Sequence, residues 1–331
     1  MKTFVLLTLL TLGVARGLFA QSSSADPNDN ARFLAGLPVS SGSPLAPLMN
    51  DPSWQQHARF FDTAWSKLET RQLSRVRAWA SGNLRRSENV FYMFSGPDFL
   101  YANAFFPSAS NYVLCGIEPV GTTPDATKIA LGPSLHNLQD SLNSVLNYSF
   151  FQTKQMRQDF GHGQLNGTLP ILYVFLARSG KTIRNVSFMQ PHGVKIDFDG
   201  GTLFYFSVDL SNGSVEKSGL LNFCRKLGRG DSLLKSASYL PHQNGFSTIR
   251  SFLLDQSDMI VEDDTGIPLR YFDPAKWQLR LYGKYSAPID IFKQYYQPEF
   301  ANISSSGTLP FGIGYRGWDP RQSALIVATK R

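Results

Sequence analysis

Apolar residues in this chain come in short blocks of two periods, and the clearest of these blocks lie in residues 90–121. Residues 90–94 (VFYMF) form an unbroken apolar run of strand length, the pattern of a strand buried on both faces of a sheet. Ser95, Gly96, Pro97 and Asp98 break the run. Pro97 suits a first helical position, with Ser95 or Gly96 as the N-cap and Asp98 in the first turn. Phe99, Leu100, Ala102, Phe105 and Phe106 then recur with helical spacing up to Pro107. A second strand run follows at 112–117 and ends in Glu118 and Pro119. Strand, helix and strand in this order predict a parallel pair with a right-handed crossover.

A looser copy is expected later: a strand at 236–240, a helix at 246–254, and a strand at 259–261 that runs into Glu262, Asp263 and Asp264. Upstream, Asp51 and Pro52 open a long amphipathic helix that carries Trp54, Phe61, Trp65, Leu68, Val76 and Trp79 and ends near Gly82. Its tryptophans read as core. Arg71, Arg75, Arg77, Arg85 and Arg86 gather toward its end and read as a solvated face. A helix over 134–160, a buried helix over 169–177 and strand runs at 183–189, 194–198 and 203–208 follow, the last two joined by a hairpin signal at Asp199, Gly200 and Gly201. The last third predicts strands at 277–282, 311–315 and 324–329 and a helix at 288–296.

Together these elements give an α/β fold: a Rossmann-like, mainly parallel sheet with a β-rich insertion at about 183–210 and a long N-terminal amphipathic helix. Residues 1–20, with Lys2, an apolar run from Phe4 to Val14 and small residues at Ala15 and Ala20, match a secretory signal peptide. Residues 21–50, rich in Ser, Pro, Ala and Asn, are expected as an extended leader, and 51–331 as a single α/β domain. No later apolar run is long enough to span a bilayer, so export to the periplasm or the extracellular space is expected, with no integral membrane segment once the signal is removed. Loss of Lys2 and Arg16 would take the formal charge from +7 to +5, a mild and scattered basicity that does not call for nucleic acid. Cys115 and Cys224 are the two cysteines in 331 residues, read as buried hydrophobes or as a single bridge.

Candidate chemistry is sparse. Glu118 stands where a ribose-binding acid sits in dinucleotide folds, but the turn before it has one glycine instead of three, and Asp98 would put negative charge beside a pyrophosphate. Asp264, Thr265 and Gly266 match an aspartic-protease triplet by letters; no second triplet exists to share the proton, and a turn built on an Asp side chain is the simpler reading. Asp263, Asp264 and Glu118 at strand ends could supply hard oxygen ligands to a divalent cation, and His242 could join them to activate water. Asp98 and Glu118 are the candidate ligand-binding pair. Ser95, between a strand and a helix, is a candidate nucleophile with His242 and Asp264 as candidate partners, although no nucleophile-elbow motif surrounds it.

The segments S-G-P-D-F-L (95–100), E-P-V-G (118–121) and D-D-T-G-I-P (263–268) resemble a set of exported bacterial proteins. The resemblance covers the central unit and the last third and implies no activity. Three functions are therefore expected to compete: a protein that binds a small ligand or divalent cation in a strand-end cleft, a secreted hydrolase that uses the acidic cluster and His242, and a non-catalytic interaction module with a degenerate Rossmann-like fold.

Overall fold

The structure is a computed structural model and describes residues 25–148, 165–190 and 192–331. Residues 1–20 and the second half of the helix expected over 134–160 lie outside the described residues.

The central unit forms as its pattern predicts. β1 (Asn89–Tyr92) and β2 (Asn111–Gly116) pair in parallel, connected through a helix at Phe99–Phe105. β3 (Ile183–Met189), β4 (Gly193–Phe198) and β5 (Gly201–Ser207) form an antiparallel meander, and β5 then pairs in parallel with the far side of β2. β6 (Gly230–Leu234) pairs in parallel with β1, and β7 (Ser257–Glu262) with β6. β8 (Trp277–Gly283), β9 (Ser305–Gly307) and β10 (Ala324–Lys330) complete a ten-stranded sheet in the order β3-β4-β5-β2-β1-β6-β7-β10-β8-β9. The sheet is mostly parallel, and β10 runs antiparallel to both of its neighbours, β7 and β8.

The period of two along each strand sorts side chains onto two cores. Val90, Tyr92, Tyr112, Leu114, Leu203, Tyr205 and Leu233 face one core. That core is covered by α1 (Pro27–Leu34), α2 (Pro52–Leu68), α3 (Ser74–Asn83), α4 (Phe99–Phe105), α5 (Leu131–Tyr148) and α6 (Leu169–Arg178). Phe91, Val113, Cys115, Phe204, Phe206, Leu234 and Ile260 face the other. There they meet α7 (Asn212–Lys217), α8 (Leu220–Leu227) and α9 (Ser247–Gln256), giving three layers, helix, sheet and helix. Both cysteines are free thiols in this second core. Burial pushes the Cys115 thiol well up and that of Cys224 to about 12, so neither is a reactive thiolate at neutral pH.

Several expectations are corrected. The stretch expected as an extended leader carries α1 from Pro27, capped by Asp26 and burying Phe33 and Leu34, which are too apolar to lie in water. Between α2 and α3, where one unbroken helix is expected, Glu69–Leu73 makes a π-helical turn whose Gln72 amide reaches the Gly312 carbonyl. The strand expected at 236–240 is a loop: Ser236, Ser238 and Tyr239 have φ of 54°, 53° and 54°, which a strand cannot contain. The strand lies earlier, over Gly230–Leu234, and tolerates Asp231 at 1% exposure because Arg85 pairs with its carboxylate. The β-rich segment is an insertion only in β3 and β4, since β5, apolar on both faces, is the third strand of the parallel core. Residues 311–315 form no strand but a 3-10 turn at Gly314–Arg316, and the helix expected at 288–296 is the 3-10 segment Asp290–Tyr295.

The arginine cluster is largely occupied with structure. Arg85 holds Asp231 and Asp258, Arg77 holds Glu69, and Arg71 lies 5.1 Å over the Trp318 ring. Trp79 meets Phe105, Tyr282 and Phe311 edge to face, as a core residue does. No helix among the described residues is long and apolar enough to cross a membrane.

Candidate functional site

Parallel strands connected on both sides of β1 leave a crevice beyond their carboxyl ends, where the connections to β2 and to β6 part in opposite directions. A cavity of about 430 Å³ lies there. Its wall is built by the loops after β1 (Phe94, Ser95, Gly96, Asp98), β2 (Gly116, Ile117, Glu118), β5 (Asp209, Leu210) and β6 (Lys235, Ser236, Ala237, Ser238), with Phe246 and Tyr315 at its side.

Backbone strain is concentrated in the same loops. Phe94, Ser236, Ser238 and Tyr239 are the non-glycine residues with positive φ among the described residues, and the first three line the cavity. A left-handed residue other than glycine costs about 1–2 kcal/mol. Three such residues at one cavity, with the fourth, Tyr239, next to Ser238 in the chain, mark a region whose conformation is held by something other than local preference.

On one side of the cavity is a buried charged cluster. Asp98 Oδ2 lies 3.1 Å from Lys235 Nζ, with side-chain exposures of 2% and 1%, and accepts a hydrogen bond from the Tyr92 hydroxyl at 2.9 Å. Its Oδ1 accepts the Tyr101 backbone N–H at 3.1 Å, so Asp98 is itself the N-cap of α4, in place of Ser95 or Gly96 as expected. Lys235 Nζ also sits 4.0 Å over the Tyr101 ring. Burial and the Asp98 charge push the Tyr92 phenol well above its ordinary range.

Glu118 is the second element. It is 3% exposed, directly follows the half-exposed Ile117, and accepts from the Tyr205 hydroxyl through its backbone carbonyl at 2.9 Å and its carboxylate at 3.4 Å. The carboxylate occupies space that two glycines vacate. A Cβ on Gly116 would stand 2.2 Å from Oε2, and one on Gly96, whose φ is +55°, 3.4 Å from it. Asp209, on the far wall, keeps its carboxyl below the usual range because the backbone N–H and hydroxyl of Ser211 donate to it.

Of the residues expected to carry chemistry, Ser95, Asp98 and Glu118 line the cavity, whereas His242, Asp263 and Asp264 are not among its wall residues. Ser95 Oγ donates to the Gly96 carbonyl at 2.8 Å and accepts the Cys115 backbone N–H at 3.3 Å, which commits the hydroxyl to the turn. Asp263 accepts the Thr265 N–H at 3.0 Å and the Ser236 N–H at 2.9 Å, a side-chain turn that ties the β7 end to the strained loop after β6. The neighbouring Asp264 accepts from the Tyr239 hydroxyl. The His242 ring is buried among Tyr239 and Tyr295, and Nε2 has no hydrogen-bond partner among the described residues. Burial and the Arg270 and Arg250 charges lower its pKa to about 4, which keeps it neutral at pH 7. Among the described residues no group of three or more His, Cys, Asp or Glu side chains is placed to hold a metal ion, so Asp263, Asp264 and Glu118 do not form one ligand set. Lys235 and Ser236 escaped the sequence reading. No local pattern marks the first, because Asp231 and Ser232 interrupt the strand GDSLL that it follows.

The Asp264 carboxyl is pushed up to about 7 by burial and by the Asp263 charge beside it. Between the ordinary value of 3.8 and about 7 the folded chain keeps a proton there that the unfolded chain gives up, so this group's contribution to stability falls as pH rises through that window. His242 has the opposite sign, its contribution falling as pH drops from 6.5 toward 4, so the wild-type curve alone mixes the two. Asp264→Asn separates them: the stability of the variant relative to wild type is expected to increase from pH 4 to pH 8, by about 1.4 kcal/mol for each pH unit inside the window at most. Urea unfolding of both proteins at matched pH checks this, and parallel curves would mean that Asp264 titrates normally. No family model, no curated protein and no solved structure matches the chain.

Proposed function

We propose that the chain is a Rossmann-like protein that binds a small ligand in the cavity at the carboxyl ends of β1, β2, β5 and β6, and that residues 1–20 direct its export. The parallel strands, counted in chain order, stand as 3-2-1-4-5, the order in which doubly wound sheets place a ligand crevice beside the first strand. The observation that carries the reading is the coincidence of that crevice with the strained residues Phe94, Ser236 and Ser238. Convergent polar groups at one cavity favour ligand binding over a pure interaction module. Hydrolysis through Ser95 has less support, with its hydroxyl held by backbone and His242 outside the wall.

Thermal unfolding of the mature chain against a panel of sugars, amino acids, nucleosides and divalent cations tests the proposal. A ligand at a hundred times its dissociation constant adds about 2.7 kcal/mol, a shift of several degrees. Ile117→Glu is the control. Ile117 is 49% exposed, so the variant is expected to keep wild-type stability within about 0.5 kcal/mol and to lose the ligand shift. A ligand that shifts both proteins equally binds elsewhere and sinks the assignment.

A further inference from the structure

Resting on that ligand-binding reading, we propose that the occupant is a ribonucleoside without phosphate, its ribose hydroxyls donating to the Glu118 carboxylate and its base lying against Ile117 and Leu210. Glu118 stands at the end of β2, beside the turn that follows β1, and its carboxylate rests against Gly96 and Gly116. A carboxylate in that position of a doubly wound sheet accepts from both hydroxyls of a ribose, because its two oxygens match the spacing of a vicinal diol. Ile117, apolar and 49% exposed, adjoins it, and Leu210 lines the same cavity from the β5 side. A flat heteroaromatic base would cover the exposed Ile117 side chain, with the buried Leu210 as the wall beside it.

The same wall rejects phosphate. Nucleotide folds seat phosphate on glycine-rich backbone N–H groups at a helix N-terminus. Here α4 is capped by its own Asp98, which takes the Tyr101 N–H and sets a negative charge at that place. Among the described residues, Asp98, Glu118 and Asp209 bring three carboxylates to the wall against one cation, Lys235, which is paired with Asp98. A phosphate would meet net negative charge in a crevice partly closed to water, where repulsion is poorly screened. A positively charged substituent on the nucleoside would instead be attracted. An exported chain would moreover meet free nucleosides more readily than an intracellular pool of dinucleotides.

Calorimetric titration of the full mature chain tests this with adenosine, guanosine, cytidine and uridine, their 2′,3′-dideoxy forms, the 5′-monophosphates, NAD⁺, free ribose, and S-adenosylmethionine as a cationic nucleoside. At least one ribonucleoside is expected to bind, its dideoxy form and its monophosphate each about tenfold or more weaker, since a site built around hydroxyls rejects an analogue that lacks them. Glu118→Gln is expected to reduce the discrimination against the dideoxy form. Equal wild-type affinity for ribo and dideoxy forms overturns the proposal without any variant, as does a monophosphate or NAD⁺ that binds as tightly as the nucleoside. If no nucleoside binds but a sugar or amino acid shifts wild type and not Ile117→Glu, the nucleoside assignment fails and the cavity reading stands. If nothing in either panel binds, both fail.

Discussion

Replacing Lys235 by Met is expected to destabilise the fold by about 3–5 kcal/mol, the largest effect of any single substitution at the cavity. Lys235 and Asp98 are 1% and 2% exposed at the side chain and 3.1 Å apart, so the lysine is what makes a buried carboxylate tolerable. Without it, Asp98 keeps, among the described residues, the Tyr92 hydroxyl and the Tyr101 N–H, which solvate a charge less well than water does. Such a loss is about a fifth or more of the stability of an ordinary domain, which is about 5–15 kcal/mol. Asp98→Asn in the Lys235→Met background should restore part of it, because Asn still caps α4 and brings no charge. Urea midpoints of the two variants give the answer. A loss below about 1 kcal/mol would show that water reaches the pair and that the cluster is a surface salt bridge in energetic terms.

Gly116→Ala is expected to cost about 1–3 kcal/mol and to abolish ligand binding. The added methyl would stand 2.2 Å from Glu118 Oε2 and 2.7 Å from the Gly96 Cα. The carboxylate could swing aside, but the Gly96 backbone cannot: the N–H groups of Ser95 and Gly96 are both held by the Cys115 carbonyl, at 2.9 and 3.2 Å. The β1 and β2 loops would have to part, and Glu118 would leave its place. Gly132→Ala is the matched control. Its methyl would meet nothing closer than Ser53 Oγ at 3.5 Å, and it lies in α5, where Ala is preferred over Gly by about 1 kcal/mol. If Gly116→Ala unfolds and binds as wild type does, the glycines are not what positions Glu118.

The sequence reading succeeded where one period dominated. Residues 90–117 and 246–261 alternate strand and helix cleanly, and the structure places β1, α4, β2, α9 and β7 there with boundaries shifted by a few residues. It missed β6 because Asp231 breaks the apolar pattern, and the Arg85 partner that neutralises it lies 146 positions away. It took 236–240 for a strand because serines alternate with Ala, Tyr and Leu there, and side-chain alternation carries no information about the sign of φ. The candidate site was half legible. Ser95, Asp98 and Glu118 are near one another in the chain and at one cavity in space. The acidic triplet at 262–264 drew attention by charge, yet its carboxylates serve backbone N–H groups and hydroxyls: Glu262 takes the Ile267 N–H, Asp263 the Ser236 and Thr265 N–H groups, and Asp264 the Tyr239 hydroxyl. Lys235 matters through partners distant in sequence, which no local pattern reveals.

The place of β10 bears on the order in which the molecule can assemble. β8 and β9 precede it in the chain but cannot reach the rest of the sheet without it, because β10 alone bridges β7 and β8. Until residues 324–330 arrive, β7 carries an open hydrogen-bonding edge, and the apolar Met259, Ile260 and Val261 beside it lack their last neighbours. An open edge next to an apolar core invites wrong partners. The late strand therefore works as a clasp: folding stays incomplete until it closes.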